Sequence, residues 1–179
     1  TTSFGAYAQS QWSPIPRVTL VNSVRHDHYS DFGGATNPRL AVVWSTSPTL
    51  TTKLLYGEAF RAPNDYELNF QSSNYERNPH LSPETIRTYE LVYEQYLSSH
   101  LRLSAAGYHY DIEGLISQAT NPLSGFFFFK NTSAARATGV ELQLEGRYPS
   151  GLLVRASYAL QRAEDVGANE ELTNSPRHL

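Results

Sequence analysis

Long segments in which polar and apolar residues alternate restrict what this chain can fold into. Between residues 139 and 148, Val140, Leu142 and Leu144 alternate with Glu141 and Glu145. Successive side chains of a β-strand point to opposite faces, so a period of two predicts a strand with one apolar and one polar face. Strands are predicted at residues 3–13, 17–29, 39–46, 50–60, 85–97, 101–118, 139–148 and 152–161. The chain is therefore predicted to be all-β.

The connections between these strands form a second pattern. Those near residues 15, 48, 99 and 150 are tight, and those near 34, 72, 122 and 170 are longer and polar. Pro14-Ile15-Pro16 is predicted to break the first strand, Ser30–Pro38 is predicted to be a loop, and 61–84 is the longest irregular stretch. Outer-membrane barrels alternate short turns with long loops, and roughly 9 to 11 tilted residues cross a bilayer. An antiparallel up-and-down barrel is predicted.

Composition agrees with a membrane barrel and argues against several other classes. No run of about 18 apolar residues exists, so no transmembrane helix is predicted. Because alternate residues of a barrel strand face the lumen, a mean hydropathy of −0.45 remains compatible with one. The 12 Tyr, 8 Phe and 2 Trp suit interfacial girdles. With no Cys, a net charge of −3 and no basic patch, neither a thiolate site nor nucleic-acid binding is predicted.

Five short motifs follow one another in a particular order. They are Val24–Tyr29, Asn37–Val42, Tyr56–Pro63, Asn78–Leu91 and Asn131–Leu142, and the third reads Tyr-Gly-Glu-Ala-Phe-Arg-Ala-Pro. Each is weak alone, but the ordered set resembles the barrel domain of TonB-dependent outer-membrane receptors. Receptors of that family import iron chelates or vitamin B12.

The resemblance implies an architecture larger than this chain. Residues 1–179 would be about eight strands of a 22-stranded transmembrane β-barrel, as an internal segment of a longer protein. The plug domain, the TonB box and the final barrel strands would lie outside it. The resemblance also implies the Gram-negative outer membrane as location, its lipid as a partner, and TonB as a partner through the plug. It further implies a ferric siderophore or cobalamin-like ligand, with no cofactor and no enzymatic activity.

The resemblance also suggests where ligand is contacted, because receptors of this family bind it on extracellular loops. Within and beside the longest loop, Arg61, Tyr66, Phe70 and Tyr75 are the candidate ligand-binding residues. A guanidinium fork holds planar oxygen pairs, and the aromatic rings could stack on a catecholate or a corrin. A loop that packs on itself is an equally good interpretation of these residues.

Three other clusters have structural explanations. Phe126–Phe129 is predicted to lie in the aromatic girdle rather than to form a ligand platform. His26 and His28 are predicted to be a polar rim, with metal binding as the lesser alternative.

The third cluster consists of carboxylates at i, i+4 spacing along strands, Glu90 with Glu94 and Glu141 with Glu145. They are predicted to line a lumen wall with counter-charges Arg147 and Arg155. No pattern indicates a catalytic nucleophile or a phosphate-binding loop. The rival interpretation of the whole chain is a soluble or secreted β-sandwich binding domain with no transport role.

Overall fold

The strands form one antiparallel sheet in sequence order. The computed structural model describes residues 2–30, 33–172 and 175–178, and over these residues the sheet has nine strands in the order β1 to β9. They are β1 Ser3–Ile15, β2 Val18–Tyr29, β3 Gly33–Ser47, β4 Leu50–Arg61, β5 Glu84–Ser98, β6 Leu101–Thr120, β7 Phe127–Arg147, β8 Leu153–Asp165 and the short β9 Glu170–Glu171. The up-and-down arrangement of eight long strands is confirmed.

The two faces of the sheet differ in chemistry, as the alternation predicts. The register places Val42, Leu54 and Leu91 side by side, and all three are exposed. We call this side the apolar face. The opposite side, the charged face, carries carboxylates and bases, among them Lys53 and Glu94 with their charged atoms 2.7 Å apart.

Over the residues that the structure describes, the sheet has no second layer to cover either face. Leu81, Tyr108 and Ala135 are the buried hydrophobic residues of the described ranges, and they are scattered over one loop and two strands. A β-sandwich needs two sheets packed on a shared core. The described residues form a single sheet, so the soluble sandwich interpretation is wrong for this chain. The described residues also include no helix long and apolar enough to cross a membrane.

The predicted loop Ser30–Pro38 is wrong, because β3 begins at Gly33 and contains Pro38. Pro38 pairs with Val24 of β2, whereas the ladder between β3 and β4 ends at the pair Arg39–Gly57. From residue 38 toward Gly33, β3 therefore has a neighbour on one side only. Proline is tolerated in such a position because one edge of the strand has no ladder for its missing N–H to interrupt.

The predicted break at Pro14-Ile15-Pro16 is displaced for the same reason. Strand β1 is the edge of the sheet and continues to Ile15, so Pro14 lies within it. The strict alternation of short and long connections is also wrong in its lengths. The connection at 166–169 is shorter than the one at 148–152, whereas the stretches 62–83 and 121–126 are long. We call the end of the sheet with 30–32, 62–83, 121–126 and 166–169 the loop-bearing end.

The longest loop, residues 62–83, is not wholly irregular. It contains α1, Asp65–Asn69, which begins with a capping box. The Asn64 side-chain oxygen accepts the Glu67 backbone N–H at 2.9 Å, and the Glu67 carboxylate accepts the Asn64 N–H at 2.9 Å. This reciprocal pair satisfies donors that the first turn of a helix leaves unpaired, so a helix as short as α1 can form here.

Candidate functional site at the loop-bearing end

Strands β6 and β7 project beyond their neighbours. The last pair between β5 and β6 is Thr85–Glu113, and the last pair between β7 and β8 is Ala135–Asp165. Beyond these pairs, residues 114–120 and 127–134 are bonded mainly to each other, and we call this two-stranded projection the ribbon. An isolated two-stranded ribbon has marginal stability in water, so it needs a further partner.

The loop 62–83 supplies that partner by docking along the free edge of β7. The Glu76 N–H donates to the Phe127 carbonyl at 2.8 Å, and the Phe127 N–H donates to the Asn74 carbonyl at 2.9 Å. Farther along, the Asn78 amide donates to the Phe129 carbonyl at 2.9 Å. These bonds satisfy backbone groups that an exposed strand edge would leave open.

An aromatic cluster lies between the loop and the ribbon. Tyr66 stacks on Phe70 with ring centroids 4.4 Å apart, and Phe70 meets Tyr75 edge-on at 5.1 Å. Tyr75 contacts Phe127 at 5.4 Å, and Tyr66 contacts Phe129 at 5.7 Å. The structure thus brings together the three candidate aromatic residues of the loop. Tyr66 keeps 53% of its surface exposed, so it presents an aromatic surface to solvent.

The girdle position of the phenylalanine run stays a prediction, but Phe127 and Phe129 have a further role in the structure. Both rings contact Tyr75 of the docked loop, and both residues lie in the ribbon beyond the end of β5. The run therefore helps to hold the loop in place. Their contact partners are more than 50 residues away in the sequence, which explains why periodicity alone did not reveal this role.

Polar side chains close the tip and the base of the docked loop. At the tip, the Glu76 carboxylate accepts from the Asn121 amide at 2.9 Å and from the Ser124 hydroxyl. These two hydrogen bonds, the one from Ser124 foremost, hold the pKa of Glu76 below its usual value. At the base, the Asn131 side chain donates to the Ser82 carbonyl and accepts the Ser82 N–H, each at 2.9 Å. Asn131 lies in one of the five sequence motifs, but the motif does not predict its hydrogen bonds to Ser82.

Arg61 is held by two carboxylates rather than presented to solvent alone. Its Nε and Nη2 donate to Glu84 at 2.7 and 2.6 Å, and its Nη1 and Nη2 donate to Glu67 at 3.0 Å each. Because Glu67 also belongs to the capping box, Arg61 ties α1 to the ends of β4 and β5. Ligand contact by Arg61, Tyr66, Phe70 and Tyr75 remains a prediction.

The other candidate clusters have structural surroundings. On the charged face, Glu145 pairs with Arg147 and with Arg155, each at 2.8 Å, which agrees with the predicted counter-charges. His26 shares a hydrogen bond of 2.8 Å with the Thr36 hydroxyl. Within the ranges that the structure describes, no group of three or more His, Cys, Asp or Glu side chains could hold a metal ion.

Comparisons with known proteins agree with this architecture. The family model described as TonB dependent receptor-like, beta-barrel matches residues 1–179. The vitamin B12 transporter BtuB of Vibrio cholerae serotype O1 is 34% identical over 116 residues, which make up 65% of this chain and 18% of that protein. The chain thus spans about a fifth of the length of this curated relative.

Solved structures share the fold at low sequence identity. The siderophore receptor PirA of Acinetobacter baumannii matches with a TM-score of 0.77 and 19% identity, covering 98% of this chain and 30% of that chain. The ferripyoverdine receptor of the outer membrane of Pseudomonas aeruginosa matches with a TM-score of 0.77 and 19% identity, covering 98% of this chain and 24% of that chain. With the family model matching its whole length, this chain belongs to the TonB-dependent receptor β-barrel family and is an outer-membrane protein of a Gram-negative cell.

Proposed function

We propose that this chain forms part of the wall and of the extracellular gate of a receptor that imports a ferric siderophore or a cobalamin-like ligand. The observation that carries the proposal is the loop 62–83, which docks on the ribbon at the loop-bearing end of a membrane-type sheet. Long loops of outer-membrane barrels face the cell exterior. A loop that is held in place by hydrogen bonds and ring contacts is suited to present side chains to a ligand there.

We further propose that residues 1–179 are an arc of a 22-stranded barrel. The edge strand β1 and the long strand β8 offer the ladders on which a barrel would continue, and strands cross a membrane only in a closed barrel. The remaining strands, the plug domain and the contact with TonB would then be supplied by the rest of the protein. No enzymatic role is proposed. A catalytic site needs reactive side chains that are available to a substrate, and the polar clusters of the described residues are hydrogen-bonded within the structure.

Two ligand classes fit the aromatic surface of the docked loop. The exposed ring of Tyr66 could stack on a planar ligand, and a stacked aromatic pair contributes about 0.5–1.5 kcal/mol beyond buried area. Both a corrin and an iron-bound catecholate offer such a surface. The curated relative is a vitamin B12 transporter, and solved neighbours include siderophore receptors, so both ligands belong in the test.

The test is uptake by the full-length protein in a strain without its own receptors for either ligand. We expect uptake of labelled cyanocobalamin or of radioactive ferric siderophore, and we expect it to disappear when TonB is deleted. Tyr66→Ala should weaken uptake of the ligand that is carried by several-fold. Tyr158→Ala is the matched control, because Tyr158 is a tyrosine of similar exposure, at 47%, on the apolar face.

The outcomes separate the receptor proposal from the site proposal. Uptake of neither ligand, or uptake that is unchanged without TonB, would refute the proposed function. Uptake that depends on TonB but is insensitive to Tyr66→Ala would keep the receptor and remove Tyr66 from the ligand-binding surface. Equal losses in the Tyr66 and Tyr158 variants would indicate impaired assembly, which the amount of folded protein in the outer membrane would reveal.

A further inference from the structure

A cavity lies near the loop-bearing end, beside Ala62, the first residue of the docked loop. Strand β3 loses β4 as a neighbour beyond the pair Arg39–Gly57, while β4 continues to Arg61 on β5 and β3 continues to Gly33 on β2. The sheet therefore splits into two lobes, and the space between them is a cleft of about 720 Å³. The rings of Tyr29 and Phe60 meet across the split, with centroids 6.0 Å apart.

The cleft is lined by three guanidinium groups in different electrostatic states. Arg25 is neutralised by Asp27, with its Nε and Nη2 donating at 2.7 and 2.8 Å. Arg61 is held by two carboxylates, as described above. Arg39 differs from both, because over the residues that the structure describes its side chain makes neither a hydrogen bond nor an ion pair.

The neighbours of Arg39 explain why it has no partner among the residues that the structure describes. Directly opposite it on the same face are Ser23 of β2 and Gly57 of β4, and neither carries a charge. The diagonal positions hold Val21, Arg25, Leu55 and Ala59, and none of these is a carboxylate. Two carboxylates do line the cleft: Asp27 is paired with Arg25, and Glu58 accepts a hydrogen bond from the Tyr56 hydroxyl. A Cβ at Gly57 would lie 3.6 Å from the Arg39 Cγ, which shows that the stem of Arg39 passes over this glycine.

We propose that the cleft between β3 and β4 binds a small anion through Arg39, with a carboxylate or phosphate group as the recognised chemistry. A guanidinium presents a planar fork of N–H donors, and it binds either group through two parallel charge-assisted hydrogen bonds. The polar side chains of Ser23 and Asn37 line the same cleft and can donate further hydrogen bonds. Arg25 lies beside this position, but its charge is already balanced by Asp27.

The inference rests on the proposed function in one respect, since an anion reaches this cleft only if the charged face borders a route for solutes. Arg39 lies on that face, in the middle of β3, at the point from which β3 and β4 separate toward the loop-bearing end. The cleft, which Arg61 also lines, would then be a second contact for an anionic ligand.

Chemical modification of arginine tests this site in the full-length protein purified in detergent. Phenylglyoxal labelling of each arginine is followed by mass spectrometry, with and without succinate in one arm and inorganic phosphate in the other. We expect one or both anions to slow labelling of Arg39 several-fold, in a saturable manner. Arg17 is the matched control, because it lies in the tight turn at the opposite end of the sheet and donates to the Thr46 carbonyl.

A variant makes the test independent of labelling chemistry. Arg39→Gln should weaken binding of the protective anion, measured by calorimetry, by about tenfold or more, since hydrogen bonds to charged groups are among the stronger ones. Arg17→Gln should leave binding unchanged. Protection by succinate alone would assign the site to carboxylates, and protection by phosphate alone would assign it to phosphate groups.

Two results would overturn the proposal. Arg39 could label equally fast with and without either anion, or it could be unreactive from the start because a carboxylate from another part of the protein already holds it. Uptake assays on the same variants keep the two proposals apart. If neither ligand is imported but Arg39 is protected from labelling, the anion site stands and the transport proposal falls. If a ligand is imported but Arg39 is not protected, the transport proposal stands and the anion site falls.

Discussion

The close approach of Tyr108 to Gly139 leads to a paired prediction about stability. The two residues face each other across β6 and β7, and the Tyr108 ring passes over the glycine so that its hydroxyl donates to Gln161 at 3.0 Å. A Cβ at position 139 would lie 2.5 Å from the Tyr108 Oη and 2.8 Å from the Leu160 carbonyl oxygen. The tyrosine ring could turn away, but the Leu160 oxygen belongs to the backbone ladder.

Gly107 is the matched control, because it lies next to Tyr108 on the same strand and points to the apolar face. A Cβ at Gly107 would meet no atom within 4 Å. Gly107→Ala should therefore stabilise the protein by about 0.4–1 kcal/mol, through reduced freedom of the unfolded chain. Gly139→Ala gains the same term but adds overpacking of about 1–3 kcal/mol and a lost hydrogen bond of about 1 kcal/mol. We expect a net loss of about 1–3 kcal/mol for Gly139→Ala.

The measurement is guanidinium unfolding of the full-length protein in lipid vesicles, followed by tryptophan fluorescence. The double variant Tyr108→Ala, Gly139→Ala removes most of the crowding, so Gly139→Ala should cost less in that background than in the native one. Equal unfolding midpoints for the Gly107 and Gly139 variants would refute the packing argument. A loss at Gly139 that persists in the Tyr108→Ala background would place its cause at the Leu160 carbonyl instead.

Three further predictions concern the docked loop. Arg61→Gln leaves Glu67 and Glu84 without their cation. Because Arg61 is half-exposed, we expect this change to weaken loop docking by only about 1 kcal/mol, and Arg61→Lys to weaken it less. The measurement is the rate of proteolysis within residues 62–83, which should rise. Phe70→Ala removes two ring contacts worth about 0.5–1.5 kcal/mol each and should weaken docking of the loop. Hydrogen exchange of the Glu76 amide, which donates to Phe127 in the docked loop, should therefore accelerate. An unchanged exchange rate would contradict the docking contact. Because the pKa of Glu76 is lowered, the Glu76 carboxylate contributes fully to loop docking at pH values above the ordinary carboxyl pKa. This contribution is lost as pH falls through the lowered pKa. Amide exchange in the loop should show the loss, and Glu76→Gln should abolish the pH dependence.

Much of the sheet was predictable because lipid imposes a strict pattern on a membrane strand. The predicted segments 50–60, 85–97 and 101–118 fall within two residues of β4, β5 and β6 at each end. Pattern reasoning failed at residues 127–138 of β7, most of which lie in the ribbon. That part extends beyond the last pairs with β5 and β8, and its phenylalanines contact the docked loop instead of following a period of two. The capping box of α1 was a local signal that could have been found from Asn64 and Glu67.

The candidate site was predictable only in part. Sequence reasoning selected Tyr66, Phe70 and Tyr75 from one loop, and the structure places them in one cluster. It could not foresee that Phe127 and Phe129 complete the cluster, or that carboxylates occupy Arg61. Such contacts join residues that are far apart in the chain, and they depend on how far each strand extends beyond its neighbours.

The amino-acid order by itself determined the number of long strands, their antiparallel succession and, within the predicted segments, the face that each side chain occupies. These properties follow from a period of two between short turns, and each is decided over a few neighbouring residues. Only the tertiary structure decided that the ribbon takes the loop 62–83 as its partner. It also decided that β3 and β4 separate beside Arg39, whose side chain has no hydrogen-bond or ion-pair partner among the described residues. Both arise where one strand continues after its neighbour has ended, and that difference depends on strands from several parts of the chain being assembled in register.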